Sequence, residues 1–125
     1  KLYRDNAAMI GIAAYFKVLS GNFVYYLGFS NGTNTGNLIV QAVNPNTWYY
    51  GVLTYDGSVA KIYVNGALVR SDTYNKALSV ISTPSLVGKD RPSGGEYFQG
   101  FIDEVRIYNR ALSATEILKL YNDFK

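Results

Sequence analysis

Cysteine and histidine are both absent from the 125-residue sequence. Without cysteine the chain has no disulfide framework and no thiolate metal site. Without histidine it lacks the commonest general base, the Ser–His nucleophile pair and the imidazole zinc site. Any metal that the protein binds is therefore expected to be a hard cation held by oxygen, either Ca²⁺ or Mg²⁺.

Long apolar runs and clustered charge are also missing. No run approaches the roughly 20 apolar residues that a membrane helix needs, so no membrane span is expected. The first five residues are too polar for a secretory signal, which on export would already have been removed. The twelve Lys and Arg are scattered and the net charge is only +3, which argues against a nucleic-acid partner.

Aromatic residues and glycine are abundant instead, with 12 Tyr, 6 Phe and 12 Gly. This composition is typical of a β-rich chain with many tight turns. About nine short strands separated by turn signals predict an all-β fold, an antiparallel β-sandwich of the jelly-roll type. No domain boundary is evident, so residues 1–125 are expected to form a single domain.

The clearest strand signals lie in the middle of the chain. Residues 48–55 and 59–64 flank Asp56-Gly57, and Asn65-Gly66 follows the second run. Asn-Gly between two apolar runs predicts a tight hairpin, because a type I′ turn needs positive φ at both positions. Trp48 is interpreted as a core residue from its place in this hairpin.

One helix is predicted, at the end of the chain. Ser113 and Glu116 have the spacing of a capping box, and Leu112 with Ile117 has that of a hydrophobic staple. The apolar residues that follow recur on one face, which the helix is expected to lay on the sandwich. That stripe consists of Ile117, Leu120, Tyr121 and Phe124.

Three segments resemble a known family. Residues 48–69, "WYYGVLTYDGSVAKIYVNGALV", residues 85–88, "SLVG", and residues 100–121, "GFIDEVRIYNRALSATEILKLY", are similar to parts of laminin-G-like domains of the concanavalin A-like lectin/glucanase group. The resemblance implies a jelly-roll fold and a recognition or adhesion module, extracellular or at the cell surface, with a glycan or cell-surface polysaccharide as partner.

The sequence departs from that family at its N-terminal side, where few strands precede Trp48. Three explanations are open: the chain is a fragment or module of a larger protein, it is a compact variant, or a neighbouring chain supplies the missing strands. The last explanation leads to an alternative function, a structural or self-assembling subunit of a filament, surface layer or virion with strands shared between chains.

The adjacent acidic residues Asp103 and Glu104 are candidates for a catalytic carboxylate pair. Glycosidases need two carboxylates flanking one bond, roughly 5–5.5 Å apart for retention or 6.5–9.5 Å for inversion. Adjacent residues of a regular strand point to opposite faces, so these two are not expected to act together. The sequence therefore predicts a protein that is not an enzyme, with Glu104 in a surface ion pair with Arg106.

Asp103 is the candidate metal ligand. In a regular strand it shares one face with Phe101, Val105 and Ile107. If that face is the core, Asp103 is a buried carboxylate, which needs a partner. Backbone N–H groups, an Arg or Lys, or a Ca²⁺ ion could each provide one. The resemblance implies calcium, since domains of this family often carry a structural or ligand-linked Ca²⁺ ion.

Four residues are the candidate sugar-binding set. Sugar-binding sandwiches stack aromatic rings on pyranose faces and use Asn, Asp and Arg for the hydroxyl groups. The loop at residues 89–96 could form such a site beside a tyrosine, although tyrosine is also simply a good strand residue. The predicted ligand-binding residues are Tyr74, Asp90, Arg91 and Tyr97.

Overall fold

The structure, a computed structural model, describes residues 9–19, 23–30, 35–73, 86–89, 93 and 97–125. This part of the chain contains seven strands and one helix. In chain order they are β1 (Met9–Val18), β2 (Phe23–Ser30), β3 (Thr35–Val43), β4 (Trp48–Asp56), β5 (Val59–Val64), β6 (Ala67–Thr73), β7 (Gly100–Tyr108) and α1 (Ala114–Phe124).

The strands form two sheets. The larger has the order β6-β5-β4-β1-β7, and the smaller pairs β2 with β3. All of these pairings are antiparallel. The predicted antiparallel sandwich with one short C-terminal helix is therefore confirmed. Residues 86–88, which from the sequence alone read as a short strand, instead form a bend, followed by a single bridge between Lys89 and Tyr97.

The predicted hairpins are confirmed at β4, β5 and β6. Between β5 and β6, Asn65 has φ 51° and Gly66 has φ 81°, the two positive values that a type I′ turn requires. The Asn65 side-chain oxygen also accepts a hydrogen bond from the Tyr50 backbone N–H at 2.8 Å. The turn is thus tied to β4, the central strand of the larger sheet.

The two faces of the larger sheet have different coverings. Residues paired across strands lie on the same face, so Tyr15 and its partner Tyr50 share one face while Phe16 lies on the other. The helix covers the first face, hereafter the helix face. On the opposite face Phe16 and Val18 pack with Val43, at the end of β3. The cluster on the helix face contains Ala13, Tyr50, Val52, Tyr63, Leu112 and Ile117.

The start of α1 is as predicted. Ser113 Oγ accepts from the Glu116 N–H at 3.2 Å, and a Glu116 carboxylate oxygen accepts from the Ser113 N–H at 2.8 Å. Both staple residues are buried, with Leu112 5% and Ile117 0% exposed. The cap sets where the helix begins, and the apolar pair seats it on the sheet. In the described part of the chain no helix is long and apolar enough to cross a membrane.

Candidate functional site

A pocket of about 470 Å³ lies on the helix face, where the last turn of α1 ends above the sheet. Strands β1, β4 and β7 form its base, and the helix end forms one wall. Its lining combines aromatic rings with two carboxylates and one ammonium group. The lining residues are Tyr15, Trp48, Asp103, Glu104, Tyr121, Phe124 and Lys125.

The antiparallel register sets the base of the pocket. Tyr15 of β1 lies opposite Tyr50 of β4 on one side and Asp103 of β7 on the other. Because residues two apart in a strand share a face, Lys17 and its own cross-strand partners lie on the helix face as well. The sheet therefore presents two successive rows of side chains toward the helix end.

A β-bulge in β7 shapes the acidic part of the base. Tyr15 of β1 pairs with Asp103 of β7, and Ala13 of β1 pairs with Arg106. Between these two pairs, two β7 residues lie opposite a single β1 residue, which defines the bulge. Glu104 has φ 51°, in the left-handed region, and its N–H donates to Asp103 Oδ1 at 2.8 Å. The bulge moves Arg106 onto the same face as Asp103.

Two expectations about this strand are wrong, and the bulge accounts for the first of them. Asp103 and Arg106 share a face, and Ile107 lies on the other face opposite Ile12, because the two-residue alternation of a regular strand is interrupted. The second expectation, a buried Asp103, held only if its strand face were the core, and at this position that face is not covered. Asp103 is exposed, and so are the apolar residues expected around it: Phe101, Val105 and Ile107 are 52%, 42% and 46% exposed.

Trp48 requires a similar correction. It was predicted to lie in the core, but it is 44% exposed. It is the first residue of β4 and lies on the helix face beyond the point that the helix covers, so its ring borders the pocket instead.

Calcium at Asp103 stays a prediction. The carboxylate has one of the partners considered for it, a backbone N–H group, which comes from the neighbouring residue Glu104. Within residues 9–19, 23–30, 35–73, 86–89, 93 and 97–125, no group of three or more potential protein ligands could hold a metal ion. Ca²⁺ prefers six to eight oxygen ligands, so a site at Asp103 would need further donors.

The predicted ion pair between Glu104 and Arg106 is present, with 3.0 Å between Glu104 Oε2 and an Arg106 terminal nitrogen. An exposed pair of this kind contributes little stability by itself. Here the Arg106 guanidinium also lies 4.5 Å from the ring centroid of Phe124, a cation–π contact with the last turn of the helix. Arg106 thereby connects the bulge to the helical wall of the pocket.

Tyrosine side chains support the pocket from below. The Tyr15 hydroxyl donates to the Tyr121 carbonyl oxygen at 3.2 Å, and the ring centroids of Tyr15 and Tyr50 are 4.7 Å apart. Burial, and then the neighbouring Tyr121 and Glu104, raise the pKa of Tyr15. Burial raises the pKa of Tyr50 to about 12. Both phenols therefore remain neutral at physiological pH.

Beyond the pocket, the second row consists of Trp48, Lys17 and Phe101 on three adjacent strands. The ring centroids of Trp48 and Phe101 are 6.4 Å apart. Lys17 Nζ lies 5.3 Å from the Trp48 centroid and 4.9 Å from the Phe101 centroid. Both rings are about half exposed. We call these three residues the outer row.

The sugar-binding residues predicted from the sequence are only partly described. Tyr74, Asp90 and Arg91 lie outside the described residues. Tyr97 is 68% exposed with Lys89 Nζ 5.0 Å from its ring centroid, and it is not among the residues that line the pocket. That site stays a prediction.

The pocket was not predicted from the sequence. The sequence did contain one signal: Trp48 and Tyr50 are two residues apart in one strand, so their side chains lie on the same face of the sheet. Whether Trp48 is covered or exposed depends on how far the helix reaches along the sheet, which the sequence pattern does not contain.

Comparison with known proteins decides the family. A laminin-G-like model of the concanavalin A-like lectin/glucanases superfamily matches residues 4–118. The chain belongs to this superfamily. This laminin-G-like domain has the fold that the resemblance of its closing segment implied.

Several similar proteins have names connected with carbohydrates. The chain is 27% identical over 82 residues to an α-L-arabinofuranosidase of Bifidobacterium longum, a match that covers 64% of the chain and 8% of the enzyme. A Bacteroides ovatus protein described as carbohydrate-binding superposes with TM-score 0.73 at 17% identity, over 94% of this chain and 42% of that one.

Domain 4 of the arabinanase AbnA from Geobacillus stearothermophilus, solved with arabinotriose, has TM-score 0.61 at 16% identity, over 91% of this chain and 66% of that one. At such identities the two structural matches establish the fold alone. The laminin-G-like domain spans less than a tenth of the length of the curated enzyme that it matches.

Proposed function

We propose that the laminin-G-like domain is a non-catalytic carbohydrate-recognition module that works outside the cell or at its surface. The observation that carries the proposal is the exposed Trp48 ring at the border of a pocket that also presents the Asp103 carboxylate. The superfamily and the carbohydrate-related names of its relatives support the proposal.

The pocket chemistry suits a sugar. A sugar ring has an apolar C–H face, which gains by leaving water for an aromatic surface such as Trp48 or Phe124. Its hydroxyl groups are hydrogen-bond donors, and a carboxylate acceptor gives the stronger, charge-assisted kind of bond. Aromatic walls with a few oriented polar groups are the usual composition of a small-molecule site.

The arrangement of the two acids supports binding over hydrolysis. Asp103 and Glu104 are consecutive residues of β7 and line the same pocket. Hydrolysis would need them on either side of the scissile bond. Glu104 is also engaged by Arg106 at 3.0 Å, which leaves Asp103 as the acceptor for a ligand hydroxyl.

Arabino-oligosaccharides are the first ligands to test. Two similar proteins have names connected with arabinose, one an α-L-arabinofuranosidase and the other an arabinanase domain solved with arabinotriose. The pocket volume of about 470 Å³ lies in the range of small-ligand sites. We propose an arabinose-containing glycan as the ligand class.

The test is isothermal titration with arabinotriose, followed by the same measurement on Trp48→Ala. We expect the substitution to weaken binding about tenfold or more, which corresponds to roughly 1.4 kcal/mol. Leu68→Ala is the control, because Leu68 is a 52% exposed residue of β6 at the far edge of the sheet. Tyr97→Ala tests the site predicted from sequence. Binding that Tyr97→Ala abolishes and Trp48→Ala leaves intact would place the site elsewhere and refute the pocket.

Self-assembly is the second candidate function. Among the described residues β6 and β7 are the edges of the larger sheet, and each carries exposed apolar side chains. Such edges can pair with another chain. Sedimentation velocity over a hundredfold concentration range tests this: growth of a dimer or larger species without glycan binding favours assembly over recognition.

A further inference from the structure

We propose that the binding site extends from the pocket over the outer row of Trp48, Lys17 and Phe101, so that the ligand is an oligosaccharide of at least two sugar units. The inference rests on the proposed carbohydrate-binding function. It assigns a second subsite to side chains that the fold leaves exposed.

The first step is the spacing of the two rows. Tyr15 and Lys17 are two residues apart in β1, which separates their rows by roughly 6.6 Å along the strand. That distance is about the length of one sugar ring. A ligand unit held over Asp103 would therefore have its neighbour over the outer row.

The second step is continuity. Trp48 belongs to the outer row and also lines the pocket. Its ring therefore belongs to both subsites, and its neighbour Phe101 is 52% exposed. A glycan chain could thus leave the pocket along the sheet surface and remain in contact with aromatic rings.

The third step is the chemistry of the outer row. The rings of Trp48 and Phe101 form an apolar surface, and the angle between the two ring planes is 45°. The Lys17 ammonium lies over both rings and has three donors for the ring and hydroxyl oxygens of a sugar.

The outer row differs from the single exposed apolar residues that strands often carry. Single exposed apolar residues on a surface need no explanation. Here two aromatic rings and a cation lie side by side on neighbouring strands, in register, next to a pocket. Val105, which is 42% exposed on β7, lacks such a setting and serves as the comparison residue.

The experiment is a chain-length series measured by titration calorimetry. The probes are arabinose and arabinotriose, with xylose and xylotriose, and glucose and cellotriose, as parallel pairs. For any sugar pair that binds, we expect the affinity of the trisaccharide to be at least tenfold higher than that of the monosaccharide. Phe101→Ala should weaken the trisaccharide about fivefold or more and leave the monosaccharide unchanged, whereas Val105→Ala should change neither. Trp48→Ala should weaken both.

The outcomes separate this inference from the function on which it rests. Equal affinity for the monosaccharide and the trisaccharide, or an equal loss for both on Phe101→Ala, would overturn the second subsite and leave the pocket in place. Absence of binding to all six sugars would overturn the proposed function and the second subsite together. Melting temperatures of the variants exclude loss of the fold as the cause.

Discussion

Replacing Ile117 by Ala tests how the helix is attached to the sheet. Ile117 is the only fully buried residue of α1, with 0% exposure, and it packs in the helix-face cluster. The substitution removes three carbons, worth about 2.4 kcal/mol at roughly 0.8 kcal/mol per buried methylene group. A cavity adds to this, because the rigid sheet below can collapse only in part. We expect a total loss of about 3 kcal/mol in the free energy of unfolding.

The measurement is urea unfolding followed by circular dichroism, with thermal melting beside it. A loss of 3 kcal/mol should lower the melting temperature by about 12 °C, at roughly 4 °C per kcal/mol for a domain of this size. The slope of the urea transition should be unchanged. Leu118→Ala is the matched control: it removes the same number of carbons from the next residue, which is 48% exposed.

The result that would refute this reasoning is a loss below about 1 kcal/mol for Ile117→Ala, or a loss equal to that of Leu118→Ala. Either would mean that α1 is not seated through Ile117. The variant should also bind arabinotriose less tightly than the wild type, because Tyr121 and Phe124 reach the pocket only through the docked helix.

Two further predictions concern the helix cap and the start of β7. Hydrogen bonds from Arg110, and then from Ser113, hold the pKa of Glu116 at about 2, below its ordinary value of 4.5. The stability from these bonds is therefore fully present above pH 4.5 and lost as the pH falls toward 2. Urea unfolding at pH 7 and pH 2 should show a smaller acid-induced loss for Glu116→Gln than for the wild type, and an equal loss would contradict the assignment. Gly100→Ala should cost about 1–3 kcal/mol or more, because its Cβ would overlap the Lys17 carbonyl oxygen across the β1–β7 pairing; an unchanged melting temperature would show that the strands can separate there without cost.

Local patterns predicted much of the fold. The turn at Asn65-Gly66 and the cap at Ser113 depend on contacts within a few residues, so their sequences contain the information needed to recognise them. The closing segment was similarly informative about the family. The error in the face of Ile107 arose where a local pattern was extended through an irregularity, since strand alternation holds only while the pairing is regular.

The candidate site was predicted far less well than the fold. Trp48 was interpreted as core because it opens a buried hairpin, and its exposure depends on where α1 ends above the sheet. The pocket combines residues of β1, β4, β7 and α1, which are far apart in the chain. No short-range pattern brings Tyr15 next to Tyr121.

The hairpin turns, the helix cap and the family could be predicted from local sequence, because each of these depends on side chains close together in the chain. Three further features emerge only in the folded chain: which strand faces meet, where β7 bulges and how far the helix extends across the sheet. Those three features depend on pairing between distant segments, where one extra residue at Glu104 changes the face of every residue that follows. They are also the features that place Asp103 and Trp48 at one pocket.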